Sequence, residues 1–225
     1  MFWWQKTPLP AVVETYRNAT ARRIPGKTPA SDLLFIVLDC ETTGFDIAND
    51  RILSLAIAEL RAGRLHIARS DSWLFRQDRH VTEAVAVHGI LPADTAHGEP
   101  EKDILLELLP RLQGAVIVGH HIGFDAAMLN TAMKRHFRTS LCNQVLDTAR
   151  FAMDAVEAFA RTGYPGQREP TLDEVCAQCG ITPTDRHTAE GDTFTTAMLF
   201  LAMCARRQRQ LARPLRASDL PLGTA

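Results

Sequence analysis

Four carboxylates and one histidine lie in short polar segments that interrupt apolar or helical stretches of the chain. Asp39 and Glu41 belong to D-C-E-T-T-G-F (39–45), directly after the apolar run L-L-F-I-V-L (33–38). Asp125 closes G-H-H-I-G-F-D (119–125), and His187 and Asp192 bracket H-T-A-E-G-D (187–192). In an extended chain, side chains two apart face the same way, so Asp39 and Glu41 would converge. Two unpaired carboxylates repel, and a divalent cation removes that cost. Oxygen ligands without cysteine suit Mg²⁺ or Mn²⁺. Two such ions ~4 Å apart can clamp the attacking and leaving oxygens of a phosphodiester. Histidine, with an unperturbed pKa of about 6.5, can take a proton from a water held there. Each segment alone also fits a plain alternative: a polar strand end, an acid suited to a helix dipole, an exposed loop histidine. Their joint placement, each at a strand edge or a helix opening, points to one catalytic centre.

The elements that must position these groups follow from periodicity. Residues 33–38 form a run of strand length, apolar throughout, as in a strand buried on both faces. Residues 52–60 and 65–75 form two further strands separated by the turn Arg61-Ala62-Gly63, which implies an antiparallel meander. After residue 100 the pattern turns helical. Ile104, Leu105, Leu108, Leu109 and Leu112 recur at helical spacing before Gly114. A short strand at 115–118, a helix over 124–135, a strand at 145–147 and another helix come next. Residues 163–170 form a loop rich in Gly and Pro, and Thr171 with Glu174 fits a capping box. The last long helix spans 189–209. Strands first, then alternating helices and strands, give a mixed sheet covered by helices. Residues 8–23 suggest a helix, with Pro10 near its start and Pro25 beyond its end. The expected layout is an N-terminal helical extension and linker over 1–32, a main domain over 33–209, and a basic, flexible tail over 210–225.

Composition excludes several classes. With 225 residues, 46% hydrophobic and 23% charged, the chain fits an ordinary globular protein. No apolar run approaches the ~20 residues that span a bilayer. The start, M-F-W-W-Q-K-T-P-L-P, lacks the apolar core of a secretory signal, so a cytoplasmic location is the expectation. Five cysteines, an odd number without regular spacing, argue against a disulfide framework. Cys176 and Cys179 lack a second ligand pair and fit a short helix ending at Gly180 better than a zinc site. Net charge is -1. Residues 1–30 and 206–225 each hold five basic residues against one acidic, leaving an acidic middle. Basic ends of this kind could hold nucleic-acid phosphates near a metal site.

Taken together, the three segments resemble the motifs of the DnaQ-like, or DEDDh, exonucleases. The first matches their opening motif in Asp39, Glu41, Thr42, Thr43 and Gly44. The second resembles H-N-x-x-F-D in His120, Phe124 and Asp125, and the third resembles H-x4-D in His187 and Asp192. A sister class has tyrosine four residues before the last acid, where this chain has Thr188. The segments A-V-H-G-I (86–90) and L-D-T-A (146–149) also align in order, and the resemblance covers roughly residues 33–205. His121 stands in place of the usual asparagine, and Leu91 where threonine commonly follows V-H-G-I.

The resemblance implies an α/β, RNase H-like fold with a five-stranded mixed sheet flanked by helices. It implies a 3′→5′ exonuclease that uses two Mg²⁺ or Mn²⁺ ions and releases nucleoside 5′-monophosphates. Asp39, Glu41, Asp125 and Asp192 would hold the metals, with Asp39 bridging both, and His187 would be the general base. Thr42, Phe45, Val87, His88, His120 and Phe124 would receive the terminal nucleotide, although Phe45 and Phe124 fit a core equally well. The expected partner is a nucleic-acid 3′ end, DNA ahead of RNA, with a DNA polymerase as a further partner in proofreading. RNA or oligoribonucleotide trimming, and a polymerase-associated binding module without catalysis, are the alternatives.

Overall fold

The computed structural model describes residues 8–77, 85–162 and 166–225. The opening residues 1–7, and residues 163–165 of the expected Gly/Pro loop, lie outside the described residues. Among the described residues, six strands form one sheet in the order β3-β2-β1-β4-β5-β6. They are β1 (Leu34–Thr42), β2 (Ile52–Arg61), β3 (Arg64–Leu74), β4 (Val116–Gly119), β5 (Gln144–Asp147) and β6 (Leu222–Thr224). The first three make the expected antiparallel meander. β4 and β5 continue the sheet parallel to β1.

The sheet has six strands rather than the expected five, because Leu222–Thr224 pairs antiparallel with β5. Residues 210–225 are therefore not a free tail. Leu215, Ala217 and Leu220 are buried in the core shared with the sheet, and Arg213 pairs with Asp219.

β1 decides how the molecule is layered. Its side chains alternate between two cores. Ile36, Leu38 and Cys40 pack with helices α1 (Ala11–Thr20), α4 (Glu101–Leu112) and α5 (Gly123–Phe137). Phe35 and Val37 pack on the other face with α6 (Thr148–Ala155), α7 (Leu172–Cys179) and α8 (Ala189–Leu211). Among the described residues, the short helices α2 (Val85–His88) and α3 (Pro92–Thr95) lie between β3 and α4. α1 belongs to the first core through Val13 and Tyr16. The Tyr16 hydroxyl accepts the Cys142 N–H at 2.8 Å and donates to Asn143 Oδ1. The capping box at Thr171 and Glu174 opens α7 as expected, and Gly180 closes it with φ +70°.

α8 runs across β1 and β2. The Phe200 ring meets Phe35 of β1 edge-on, with centroids 5.0 Å apart, a contact worth about 0.5–1.5 kcal/mol beyond its buried area. At the other end, Thr193 Oγ1 donates to the Ala56 carbonyl at 3.3 Å, and Ala56 is the residue paired with Asp39. The first turn of α8 is thus pinned where β1 ends. The basic C-terminal end of α8 lies elsewhere: Arg209 is roughly 25 Å along the axis from Asp192 at 1.5 Å per residue. Arg206 and Arg207 donate to carbonyls of the protein itself.

Candidate active site

Asp39 and Glu41 occupy odd positions of β1, on the same face as Phe35 and Val37 and therefore on the face that α8 covers. The register shifts after Glu41, and a bulge of this kind bends a strand where pairing ends. α8 arrives from above this edge. Its cap is Thr188, whose side chain accepts the Gly191 N–H at 3.0 Å. Asp192 follows in the first turn, 7% exposed. Gly191 permits the approach, because a Cβ there would overlap the carbonyl oxygens of Thr184 and Asp185. As a result, ligand oxygens of Asp39, Glu41 and Asp192 all lie within 4.8 Å of one another.

Asp125 comes from the opposite face, in the first turn of α5, and is buried. Its Oδ1 accepts the Cys40 N–H at 3.0 Å. It stands beside Asp39 but outside the group of three mutually close carboxylates. Burial is the main reason Asp39, Glu41 and Asp125 resist ionisation. It raises Asp39 well above the usual carboxylate range, with Asp125, Asp192 and Glu41 adding repulsion. Glu41 is pushed up to about 7 by burial and by Asp192. Asp125 is also pushed up to about 7, with burial the largest cause. Oxygen-only donors crowded this closely form a set that a hard divalent cation fits.

His187 sits in the loop before α8 with φ +63°. Its main-chain N–H donates to Asp192 Oδ2 at 3.2 Å, while the residue itself is exposed. The loop thus ties the histidine to Asp192 through the backbone and leaves the imidazole accessible.

The six residues expected to meet substrate line one cleft of about 550 Å³, together with Asp39, Glu41 and Asp125. Phe45 is 90% exposed, which removes the core alternative for it. Its ring lies 5.7 Å from that of Phe124, which packs partly against the first core. Thr42 Oγ1 donates to the Gly44 carbonyl at 2.8 Å, shaping the turn beside Glu41. Val87 is exposed, whereas His88 is buried. His88 Nδ1 accepts the Ile90 N–H at 3.0 Å. Its proton therefore resides on Nε2, which is buried without a partner among the described residues.

His120 lines the cleft with both ring nitrogens engaged by the protein. They meet Thr148 Oγ1 at 2.9 Å and the Pro170 carbonyl at 3.1 Å. A carbonyl can only accept, so Nε2 carries the proton and Nδ1 faces the hydroxyl. Burial pushes its pKa down to about 4, keeping the ring neutral. His120 ties α6 to the segment before α7 and offers the cleft only its ring surface.

Sequence reasoning missed Arg186. Its guanidinium donates to Asp192 Oδ1 and, at 2.8 Å, to Asp173 Oδ1. The only signal was its position one residue before His187.

Comparisons with known proteins bear on the family and the fold of the chain. The exonuclease family model RNase_T matches residues 36–200. A DNA polymerase III subunit epsilon-like protein of Rhodobacter capsulatus is 33% identical over 181 residues, covering 79% of this chain and 24% of that protein. A DNA polymerase III PolC-type protein of Thermotoga maritima is 25% identical, covering 80% of this chain and 12% of the relative. The chain thus spans about a quarter or less of the length of these curated relatives. Escherichia coli exonuclease I in complex with a dT13 oligonucleotide shares the fold, with a TM-score of 0.65 at 20% identity. That match covers 80% of this chain and 43% of the other.

Proposed function

The chain belongs to the RNase_T exonuclease family, and from that premise we propose that it removes nucleotides from the 3′ end of DNA, single-stranded at the point of attack. The observation that carries the reading is the convergence of Asp39, Glu41 and Asp192 within 4.8 Å, beside a cleft lined by Phe45 and Phe124. Asp39, Glu41 and Asp192 would hold one divalent cation, and Asp39 with Asp125 a second. Bound there, Mg²⁺ or Mn²⁺ would acidify the attacking water and neutralise charge on the phosphate.

The remaining steps belong to the chain. His187, exposed on its loop, takes the proton of the attacking water as general base. The Phe45 ring stacks on the terminal base, a contact every base can make. Val87, His88 and Phe124 enclose the sugar and base, and Thr42 sets the turn that meets the 3′ hydroxyl. The products are nucleoside 5′-monophosphates. A single-stranded DNA substrate is supported by the dT13 oligonucleotide in complex with the structurally similar exonuclease I. A DNA polymerase as partner, in a setting of proofreading or repair, is supported by relatives that carry DNA polymerase III names. Among the described residues no helix is long and apolar enough to cross a membrane.

The test is Mn²⁺-dependent shortening of a 5′-labelled strand, run on matched DNA and RNA. The reading expects mononucleotide release, faster on DNA, that Asp39→Ala abolishes while leaving the circular dichroism spectrum intact. Near-normal activity in that variant would reject the site, and a faster rate on RNA would reassign the substrate.

A further inference from the structure

Both oxygens of Asp192 are engaged by the chain's own donors. Oδ2 accepts the His187 N–H, and Oδ1 accepts from the Arg186 guanidinium. A cation that uses Asp192 must share it with a guanidinium whose positive charge opposes its own. Arginine cannot release its proton in a protein, so this competing charge is permanent. Arg186 is mostly buried, with its side chain 26% exposed, and that of Asp192 is only 10% exposed. Their contact is consequently less screened than a surface pair.

Arg186 also has a second anchor. Nε donates to Asp173 Oδ1 at 2.8 Å, and Nη2 lies 3.5 Å from Asp173 Oδ2. Asp173 belongs to the first turn of α7 and is exposed, outside the carboxylate group. The guanidinium can therefore give up Asp192 and remain paired.

We infer that Arg186, tethered by Asp173, is a built-in counter-ion that competes with the divalent cation for Asp192. It supports the fold while the cation is absent and weakens cation binding when it is present. The inference rests on the metal-dependent reading above for the identity of the ligand. It adds a residue outside the proposed ligand set that tunes how tightly the ligand is held.

The experiment measures Mn²⁺ affinity by titration calorimetry and melting temperature in EDTA, on the full chain and on Arg186→Met. Loss of the competitor should lower the Mn²⁺ Kd roughly three- to tenfold, the scale of one partly buried ion pair. In EDTA the same variant should melt lower than wild type. Arg186→Lys, which keeps the charge, should stay near the wild-type Kd. Arg186→Gln, which keeps a donor for Asp192 but no charge, should tighten Mn²⁺ binding too and serves if Arg186→Met does not fold. Equal or weaker Mn²⁺ binding in the uncharged variants, with a wild type that binds Mn²⁺ and degrades DNA, would overturn the inference and leave the nuclease reading standing. A wild type that neither binds Mn²⁺ nor degrades DNA would overturn both.

Discussion

Replacing Asp125 by Asn separates the cost of a buried charge from the hydrogen bond that holds the side chain. Asn retains the oxygen that accepts the Cys40 N–H at 3.0 Å and keeps nearly the same volume. The Asp125 carboxyl is raised from 3.8 to about 7, chiefly by burial. For an acid shifted upward, the folded state keeps a proton that the unfolded chain has released. The stability this provides is complete below 3.8, erodes as pH rises, and is gone above about 7. At 1.36 kcal/mol per pH unit, the ionised carboxylate burdens the fold by up to ~4 kcal/mol at pH 8. In EDTA, Asp125→Asn should therefore match wild type near pH 4 and exceed it by about 2–4 kcal/mol at pH 8. That gap is roughly 5–15 °C in melting temperature for a chain of this size. Saturating Mn²⁺ should shrink it, because a cation that binds the wild type more tightly stabilises it by mass action. Urea unfolding at four pH values, with and without Mn²⁺, measures both effects. A variant no more stable than wild type at pH 8 in EDTA would refute the reasoning, as would a gain independent of pH.

His187→Ala should lower kcat by about 10²–10⁴ while Mn²⁺ affinity stays within error, since only the main-chain N–H of His187 touches Asp192; rapid-quench kinetics and calorimetry separate the two. Gly191→Ala would drive a Cβ into the carbonyl oxygens of Asp185 and Thr184. The first turn of α8 must then withdraw with Asp192, at a cost of about 1–3 kcal/mol and with a sharp loss of activity; a variant that melts and cleaves like wild type would contradict the packing. Tyr16→Phe deprives the Cys142 N–H and Asn143 Oδ1 of their partner. It should cost about 1–3 kcal/mol in urea unfolding and leave kcat unchanged, because that pair belongs to α1 and the start of β5 rather than to the cleft.

The parts of this molecule that were legible in its sequence are those where one local pattern had one physical meaning. Residues 33–38 are apolar on both parities, and only a strand covered on both faces needs that; β1 is such a strand. The capping box at Thr171, the glycine at 180 and the acids at helix openings likewise act through neighbours a few residues away. β6 was hidden because Leu222, Gly223 and Thr224 carry no strand pattern of their own and are a strand only through β5. The role of His120 was obscured for a related reason. Its partners lie 28 and 50 residues away, and no local pattern records that both nitrogens are fastened. Arg186 is the sharpest case. One arginine beside a motif histidine says nothing until Asp185 and His187 both take positive φ and the first turn of α7 supplies Asp173. The acids of the site could be read because each stands at the end of an element. The guanidinium among them could not, because its place is defined by a loop between two helices whose packing no local pattern records.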